Sequence, residues 1–150
     1  MKLLLINGPN MNMLGIRQPE IYGKDTLGTI EELTVNKAKE LGCEMDCFQS
    51  NHEGAIIDKI HEAYGKYDGI VINPAAYTHY SYAIADALGA VAIPAIEIHM
   101  SDIHSRESFR ANSVTLPYCI GQVAGYGKES YAMGVEKLVG HLKQSAMSNE

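Results

Sequence analysis

The sequence predicts an α/β fold: a doubly wound, five-stranded parallel sheet with helices on both faces. Short apolar runs alternate with longer segments of helical periodicity along the whole chain. The first run, residues 2–7 (KLLLIN), has an unbroken apolar centre, which is typical of a central parallel strand. Polar side chains suited to chemistry follow several of these runs, and the carboxyl ends of parallel strands meet along one edge of such a sheet.

A long loop and then a helix follow the first strand. Residues 8–24 contain three glycines and two prolines, and long loops in compact domains are usually functional. Asp25 or Thr26 can cap a helix that continues to about Leu41, where Gly42 ends it.

The middle of the chain predicts a strand, a helix and a second strand. Residues 43–49 alternate apolar and polar side chains, which indicates a strand near the edge of the sheet. Residues 53–67 carry apolar side chains at helical spacing. Residues 69–73 (GIVIN) form a short buried strand that Pro74 ends.

The second half of the chain completes the pattern with four elements and a turn. We predict a helix over 81–90, a strand over 95–99, a helical turn over 106–110, a strand over 118–124 and a helix over 128–143.

These elements fit one domain of 150 residues with the flavodoxin-like strand order 2-1-3-4-5. Residues 144–150 are predicted to form a frayed tail.

Charge and hydropathy restrict the class of partner. The net charge of −6 disfavours nucleic acid, although local arginines can still bind a small anionic substrate. No apolar run approaches the 18 residues of a membrane span. The N-terminal apolar run ends at Ile6 and is too short for a signal peptide.

The three cysteines predict a reducing compartment. Their odd number and unpaired spacing do not indicate a disulfide framework. Cys43 and Cys47 lie on one face of a predicted strand, so we expect both to be buried thiols. We therefore predict a cytoplasmic protein.

Cofactor motifs are missing from the sequence. It contains no GxxxxGK[ST] phosphate loop. Gly121, Gly125 and Gly127 accompany the last strand instead of the first, which favours close packing over dinucleotide binding. His99 and His104 lack metalloprotease spacing, and no Cys/His cluster has zinc spacing. We predict neither a cofactor nor a metal.

Arg17 and Tyr22 share the breaker-rich loop after the first strand. A guanidinium close to a phenol favours the phenolate and lowers the phenol's pKa. A loop with both groups could close over a substrate and deliver a base. Each residue taken alone is typical of an exposed loop.

Glu97 and His99 end the fourth strand with side chains on the same face. A carboxylate beside an imidazole fixes its tautomer and raises its pKa, which yields a usable general acid. A buried pair without a catalytic role has the same pattern, but the position at a strand's carboxyl end favours function.

Polar residues also follow the third strand. Asn73 and the segment 77–79, which ends in His79, could hold hydroxyls or a carboxylate, or could simply cap a helix. Asp86 and Arg110 lie on or near helices, where exposure to solvent is the ordinary outcome.

Read together, four segments resemble the type II 3-dehydroquinate dehydratases. They are residues 3–23 (LLLINGPNMNMLGIRQPEIYG), 72–79 (INPAAYTH), 93–110 (IPAIEIHMSDIHSRESFR) and 125–127 (GYG). The resemblance covers most of the chain in the correct order. It implies a cofactor-independent hydro-lyase that converts 3-dehydroquinate to 3-dehydroshikimate through an enolate, in the shikimate pathway or in quinate catabolism.

The resemblance also implies residue roles. Tyr22 would be the base, Arg17 would lower its pKa, Asn10 would hold a water at the enolate oxygen, and His99, oriented by Glu97, would protonate the departing hydroxyl. Substrate binding is implied for six residues: Asn73, His79, Asp86, Met100, Ser101 and Arg110. Asp86 would serve a neighbouring subunit, because the family forms trimers that assemble into dodecamers.

Among the residues that depart from the family pattern, two could affect the site. Ala75 stands where glycine is common, so its turn would be strained if it required positive φ. Asp102 stands where asparagine is common and adds negative charge near the anion site.

Other functions remain open from the residues alone. They are a different enolising lyase or isomerase, a flavodoxin-like flavin or nucleotide module, and a domain used only for interactions.

Overall fold

The computed structural model describes residues 1–16, 20 and 24–148, and within them five parallel strands form one sheet in the order 2-1-3-4-5. The strands are β1 (Lys2–Asn7), β2 (Glu44–Gln49), β3 (Gly69–Asn73), β4 (Ala95–His99) and β5 (Gly121–Ala124). The helices are α1 (Leu27–Glu40), α2 (Glu53–Ala63), α3 (Tyr82–Val91) and α4 (Glu129–Ser148). The predicted fold class and strand order are confirmed.

Two apolar layers hold the helices against the sheet. Helices α1 and α4 cover one face and α2 and α3 cover the other. Alternate β1 residues serve the two layers: Leu3 and Leu5 pack with α4, whereas Leu4 and Ile6 pack with α2. All four are fully buried, which explains why the β1 sequence is a continuous apolar run and not an alternating one.

The predicted start of helix α1 is confirmed, whereas the ends of other elements differ from the predictions. Helix α1 is capped by Thr26, whose Oγ1 accepts the Thr29 N–H at 3.2 Å. Helix α2 ends at Ala63, since Gly65 adopts a φ of +80°. Strand β5 begins at Gly121 and not at residue 118, because Leu116–Tyr118 forms a helical turn around Pro117, which has no N–H to donate to a sheet.

Helix α4 also extends beyond its predicted end at residue 143. It remains helical to Ser148, so the segment predicted to fray is helical over its described part. Residues 144–148 contain no glycine or proline that would stop the helix.

Only one of the two thiols predicted to be buried in the second strand is buried, and it lies directly before β2. Cys43 is buried, whereas Cys47 is exposed. Cys43 and Met45 pack with the apolar layer that includes α1, but this cover does not reach Cys47. Alternation in an edge strand shows which face a residue shares and not how far along the strand the neighbouring helix extends. All three cysteines are free thiols.

The carboxyl ends of β1 and β3 are tied together at Gly8. Its N–H donates to the Asn73 carbonyl at 2.8 Å. A Cβ added at Gly8 would lie 2.4 Å from the Pro74 oxygen. This position therefore requires glycine, because the obstructing atoms belong to the backbone.

We expect Gly8→Ala to lower the free energy of unfolding by about 1–3 kcal/mol, the usual cost of forcing a group into filled space. Gly54→Ala is the matched control. A Cβ at Gly54 meets no atom within 4 Å, and alanine favours a helix over glycine by about 1 kcal/mol. Urea unfolding measures both variants. Equal effects would show that the close approach at Gly8 does not matter.

Candidate active site

A cleft opens at the carboxyl edge of the sheet, where the segments after β1, β3 and β4 converge. Its wall is formed by residues from all three segments, and it is partly open to solvent. Asn10 and His99 line it, together with five of the predicted substrate-binding residues: Asn73, His79, Met100, Ser101 and Arg110.

Glu97 and His99 form a buried pair at the end of β4. The His99 Nε2 lies 2.9 Å from the Glu97 Oε2, and the Gln122 Nε2 donates to the same oxygen at 2.7 Å. Glu97 is fully buried and His99 is 5% exposed. Because a carboxylate only accepts hydrogen bonds, His99 Nε2 carries a hydrogen, and Nδ1 is the nitrogen left to exchange a proton with a bound molecule.

Three hydroxyls surround the other oxygen of Glu97. Its Oε1 accepts hydrogen bonds from Thr78 Oγ1 at 3.0 Å, from Ser113 Oγ at 2.9 Å and from Thr115 Oγ1. The three hydroxyls also lie within hydrogen-bonding distance of one another. Hydrogen-bond donors of the protein thus replace water around the buried Glu97 carboxylate.

This environment keeps Glu97 ionised. Burial raises the pKa of its carboxyl, but the hydrogen bonds from His99, Thr115 and Gln122 and the charge of His99 outweigh burial and lower the pKa to about 2. The carboxylate therefore stays charged at neutral pH and can stabilise a protonated His99.

The low pKa predicts acid sensitivity. The pKa of Glu97 is about 2 in the folded protein, below its ordinary value of 4.5. The ionised carboxylate therefore stabilises the folded state fully above pH 4.5, and this stabilisation is lost as the pH falls towards 2. We expect the free energy of unfolding to fall more steeply over this range in the wild-type protein than in Glu97→Gln. Urea titrations at a series of pH values give the two slopes, and equal slopes would contradict the assignment.

A second buried polar group lies under the cleft. The Tyr131 hydroxyl donates to Asn7 Oδ1 at 2.6 Å and accepts from Asn73 Nδ2 at 2.9 Å. Tyr131 is fully buried, and burial raises the pKa of its phenol well above the usual range. A phenol so placed stays neutral and acts as a fixed link between α4 and the ends of β1 and β3.

Asn73 also shapes the turn that follows β3. Its Oδ1 accepts the Ala75 N–H at 3.0 Å. Ala75 has a φ of +55°, so the turn does require the left-handed conformation at a position occupied by alanine. That conformation costs a non-glycine residue roughly 1–2 kcal/mol.

Two further side chains that line the cleft, His79 and Arg110, are held by contacts with the segment 107–112. His79 Nδ1 lies 2.8 Å from the Asn112 carbonyl, which can only accept, so this nitrogen carries a hydrogen. Burial, opposed by that hydrogen bond, lowers the pKa of His79. The ring is therefore neutral at pH 7 and offers Nε2 as an acceptor. The Arg110 Nε donates to Glu107 at 2.7 Å.

Three comparisons place this geometry among known proteins. The family model described as "Dehydroquinase class II" matches residues 1–139. The chain belongs to the class II dehydroquinase family. Dehydration of 3-dehydroquinate is the reaction of this family.

The relatives and solved structures agree. A 3-dehydroquinate dehydratase of Bacillus mycoides (strain KBAB4) is 53% identical over 144 residues, which cover 96% of this chain and 99% of the relative. The type II dehydroquinase crystal structure from Butyrivibrio crossotus DSM 2876 is 54% identical with a TM-score of 0.89, covering 92% of this chain and 97% of that one. The Propionibacterium acnes type II dehydroquinase structure is 38% identical with a TM-score of 0.88, covering 93% of this chain and 96% of that one. The resemblance found in the sequence is confirmed.

Not every predicted site residue lies in the dehydroquinase cleft. Glu97 lies beneath it, behind His99. Asp86 is exposed on α3 and does not line the cleft. Arg17 and Tyr22, the predicted base and its partner, lie outside the described residues.

The structure also reveals contributors that the sequence did not single out. Arg106 lines the cleft, and its Nη1 donates to Ser101 Oγ at 3.4 Å. Arg106 could have been predicted from the sequence, because it lies in the same segment as Arg110. Thr115 and Tyr131 gave no signal, because their partners are distant in sequence.

Within the described residues, no group of three His, Cys, Asp or Glu side chains could hold a metal ion. None of the helices in this part of the chain has the length and hydropathy needed to cross a membrane.

Proposed function

We propose that this protein converts 3-dehydroquinate to 3-dehydroshikimate and water through an enolate, without a cofactor. The observation that carries the proposal is His99, held by a buried, ionised Glu97 at the wall of a cleft that also presents Asn10 and two arginines.

Loss of water at the position β to a ketone requires three functions. A base must take the proton from the α carbon, a polar group must stabilise the enolate oxygen, and an acid must protonate the departing hydroxyl. We assign these functions to Tyr22, to a water held by Asn10, and to His99. The roles of Tyr22 and Arg17 rest on the sequence and the family resemblance.

The proton transfers balance within this set. Tyr22, as phenolate, accepts the α proton and becomes a phenol. The enolate collapses to the conjugated ketone as the carbon–oxygen bond breaks, and His99 gives its Nδ1 proton to the leaving hydroxyl to form water. His99 then regains a proton from solvent and Tyr22 loses one, which restores the starting state.

The substrate's carboxylate requires positive or hydrogen-bonding partners. We propose that Arg110, Ser101 and the Met100–Ser101 backbone bind it, and that Asn73 and His79 bind ring hydroxyls. Support comes from their common position around one cleft and from the neutral His79, which can accept from a hydroxyl.

The direct test is the absorbance of the conjugated enone after 3-dehydroquinate is added to the purified protein. We expect steady product formation that EDTA does not change. If a panel of other cyclic and linear hydroxy-ketones is dehydrated while 3-dehydroquinate is not, the substrate assignment is wrong. A chromophore that purifies with the protein would favour a flavin-binding module instead.

We also propose that the protein acts in the cytoplasm as a homo-oligomer of trimers assembled into a dodecamer, in which Asp86 serves a neighbouring subunit's cleft. The exposed position of Asp86 on α3 supports this arrangement.

Mixing inactive subunits tests the shared site. Asp86→Ala and His99→Gln proteins, unfolded together and refolded in equal amounts, should recover about one quarter of the wild-type activity, because each complete cleft needs one subunit of each kind. Each variant refolded alone is the control. No recovery from a mixture of full assembled mass would assign Asp86 a role within its own chain or none.

A further inference from the structure

Asn10 is held in an uncommon backbone conformation at the rim of the cleft. Its φ is +69° and its ψ is −2°. Its side chain does not cap the helical turn that follows, Met11–Met13, so the amide remains available to the cleft that Asn10 lines. Asparagine enters this conformation more readily than other non-glycine residues, and contacts with its surroundings can hold it there.

One contact holds this backbone from outside the loop. The Asn10 N–H donates to Asn51 Oδ1 at 2.9 Å, across 41 positions of sequence. Gln49 Nε2 donates to the same oxygen at 3.2 Å and to the Gly8 carbonyl at 3.1 Å. The last residue of β2 and the segment after it therefore bind the loop after β1 on both sides of Pro9.

Asn51 is also fixed from the third strand's side of the cleft. The Tyr77 hydroxyl donates to the Asn51 carbonyl at 2.9 Å, and Tyr77 belongs to the turn Ala75–His79, which carries His79 into the cleft. Through Asn51, the segments after β1, β2 and β3 are held in one arrangement.

We propose that Asn51 is a positioning residue for catalysis: its side-chain oxygen fixes the Asn10 backbone so that the Asn10 amide points at the enolate oxygen or its bound water. This inference rests on the proposed function, because it concerns the dehydration step. Asn51 itself does not line the cleft and acts only through Asn10.

The chemistry of the contact supplies a matched pair of variants. Both side-chain hydrogen bonds of Asn51 within the described residues use Oδ1 as the acceptor. Asn51→Asp keeps that acceptor, whereas Asn51→Ala removes it. Asn51 is exposed, so its truncation should leave the unfolding midpoint near that of the wild type.

The expected kinetic effect is selective. Misplacing a catalytic group by about 1 Å can cost on the order of 10²-fold in rate, so we expect Asn51→Ala to lower kcat roughly 10- to 100-fold with little change in KM. Asn51→Asp should stay within about threefold of the wild-type kcat at 1 M salt, where added charge is screened beyond about 3 Å. His52→Ala, at the next exposed position, should match the wild type.

A double-mutant cycle identifies the route of the effect. Asn10→Gly permits positive φ but removes the amide. If Asn51 acts through Asn10, Asn51→Ala should lower kcat no further in the Asn10→Gly protein. Three results would each overturn the inference. They are losses of kcat that multiply in the double variant, a normal kcat for Asn51→Ala, and a kcat for Asn51→Asp as low as that of Asn51→Ala.

A measurement without substrate separates this inference from the function. Hydrogen exchange of the Asn10 backbone N–H should be faster in Asn51→Ala than in the wild type. In Asn51→Asp it should return to the wild-type rate. A wild-type protein that dehydrates no 3-dehydroquinate would defeat the proposed function. If the exchange rate of the Asn10 backbone N–H is the same in Asn51→Ala and the wild type, the positioning role is wrong even in an active enzyme.

Discussion

Replacing His99 with glutamine should reduce kcat by about 10²- to 10⁴-fold, the usual contribution of a general acid. Glutamine can still donate a hydrogen bond to Glu97 Oε2, which His99 now approaches at 2.9 Å. The variant therefore keeps the structural contact and loses only the group that can carry a proton to the leaving hydroxyl.

The enone absorbance assay measures this effect, and urea unfolding serves as the control for folding. We expect the unfolding midpoint to change little, because the buried carboxylate keeps Thr78, Thr115 and Gln122 as donors. A kcat within tenfold of the wild type would mean that another group protonates the leaving hydroxyl.

Replacing Tyr22 with phenylalanine should abolish measurable turnover. The ring remains and only the hydroxyl is lost, so the fold should be unaffected while the proton at the α carbon loses its acceptor. Near-normal kcat in this variant would defeat the mechanism, although another base could still serve the same overall reaction.

Arg17→Lys separates charge from geometry in the same loop. Lysine keeps the positive charge but lacks the planar fork of the guanidinium, so we expect a severe loss of kcat. Titration of the Tyr22 phenol in this variant should show whether its pKa remains low. A low pKa with slow turnover would assign Arg17 to the transition state and not to the ionisation of Tyr22.

Local patterns were sufficient for the framework of this protein. The unbroken apolar centre of residues 2–7 predicted a strand buried on both faces, and Leu3, Leu4, Leu5 and Ile6 are indeed fully buried. The spacing of Glu97 and His99 predicted a shared face because side chains in a strand alternate with a period of two. Their contact confirms that prediction.

Sequence reasoning failed where the outcome depends on how far a neighbouring element extends. Cys47 has the same strand face as Cys43, yet only Cys43 is buried. The predicted strand at residue 118 is instead part of a helical turn. The periodicity of a sequence shows which face of a strand or helix a residue lies on. It does not show how far the neighbouring element extends over that face.

The candidate site divides in the same way. The residue types and their positions after strand ends determined which groups could do chemistry, since both are properties of single short segments. Only the tertiary structure decided what holds those groups: three hydroxyls on Glu97, Tyr131 on Asn73, and Asn51 on the Asn10 backbone. Hydrogen bonds between segments far apart in sequence leave no periodic signal, because each partner alone looks like an ordinary polar residue or a buried aromatic one.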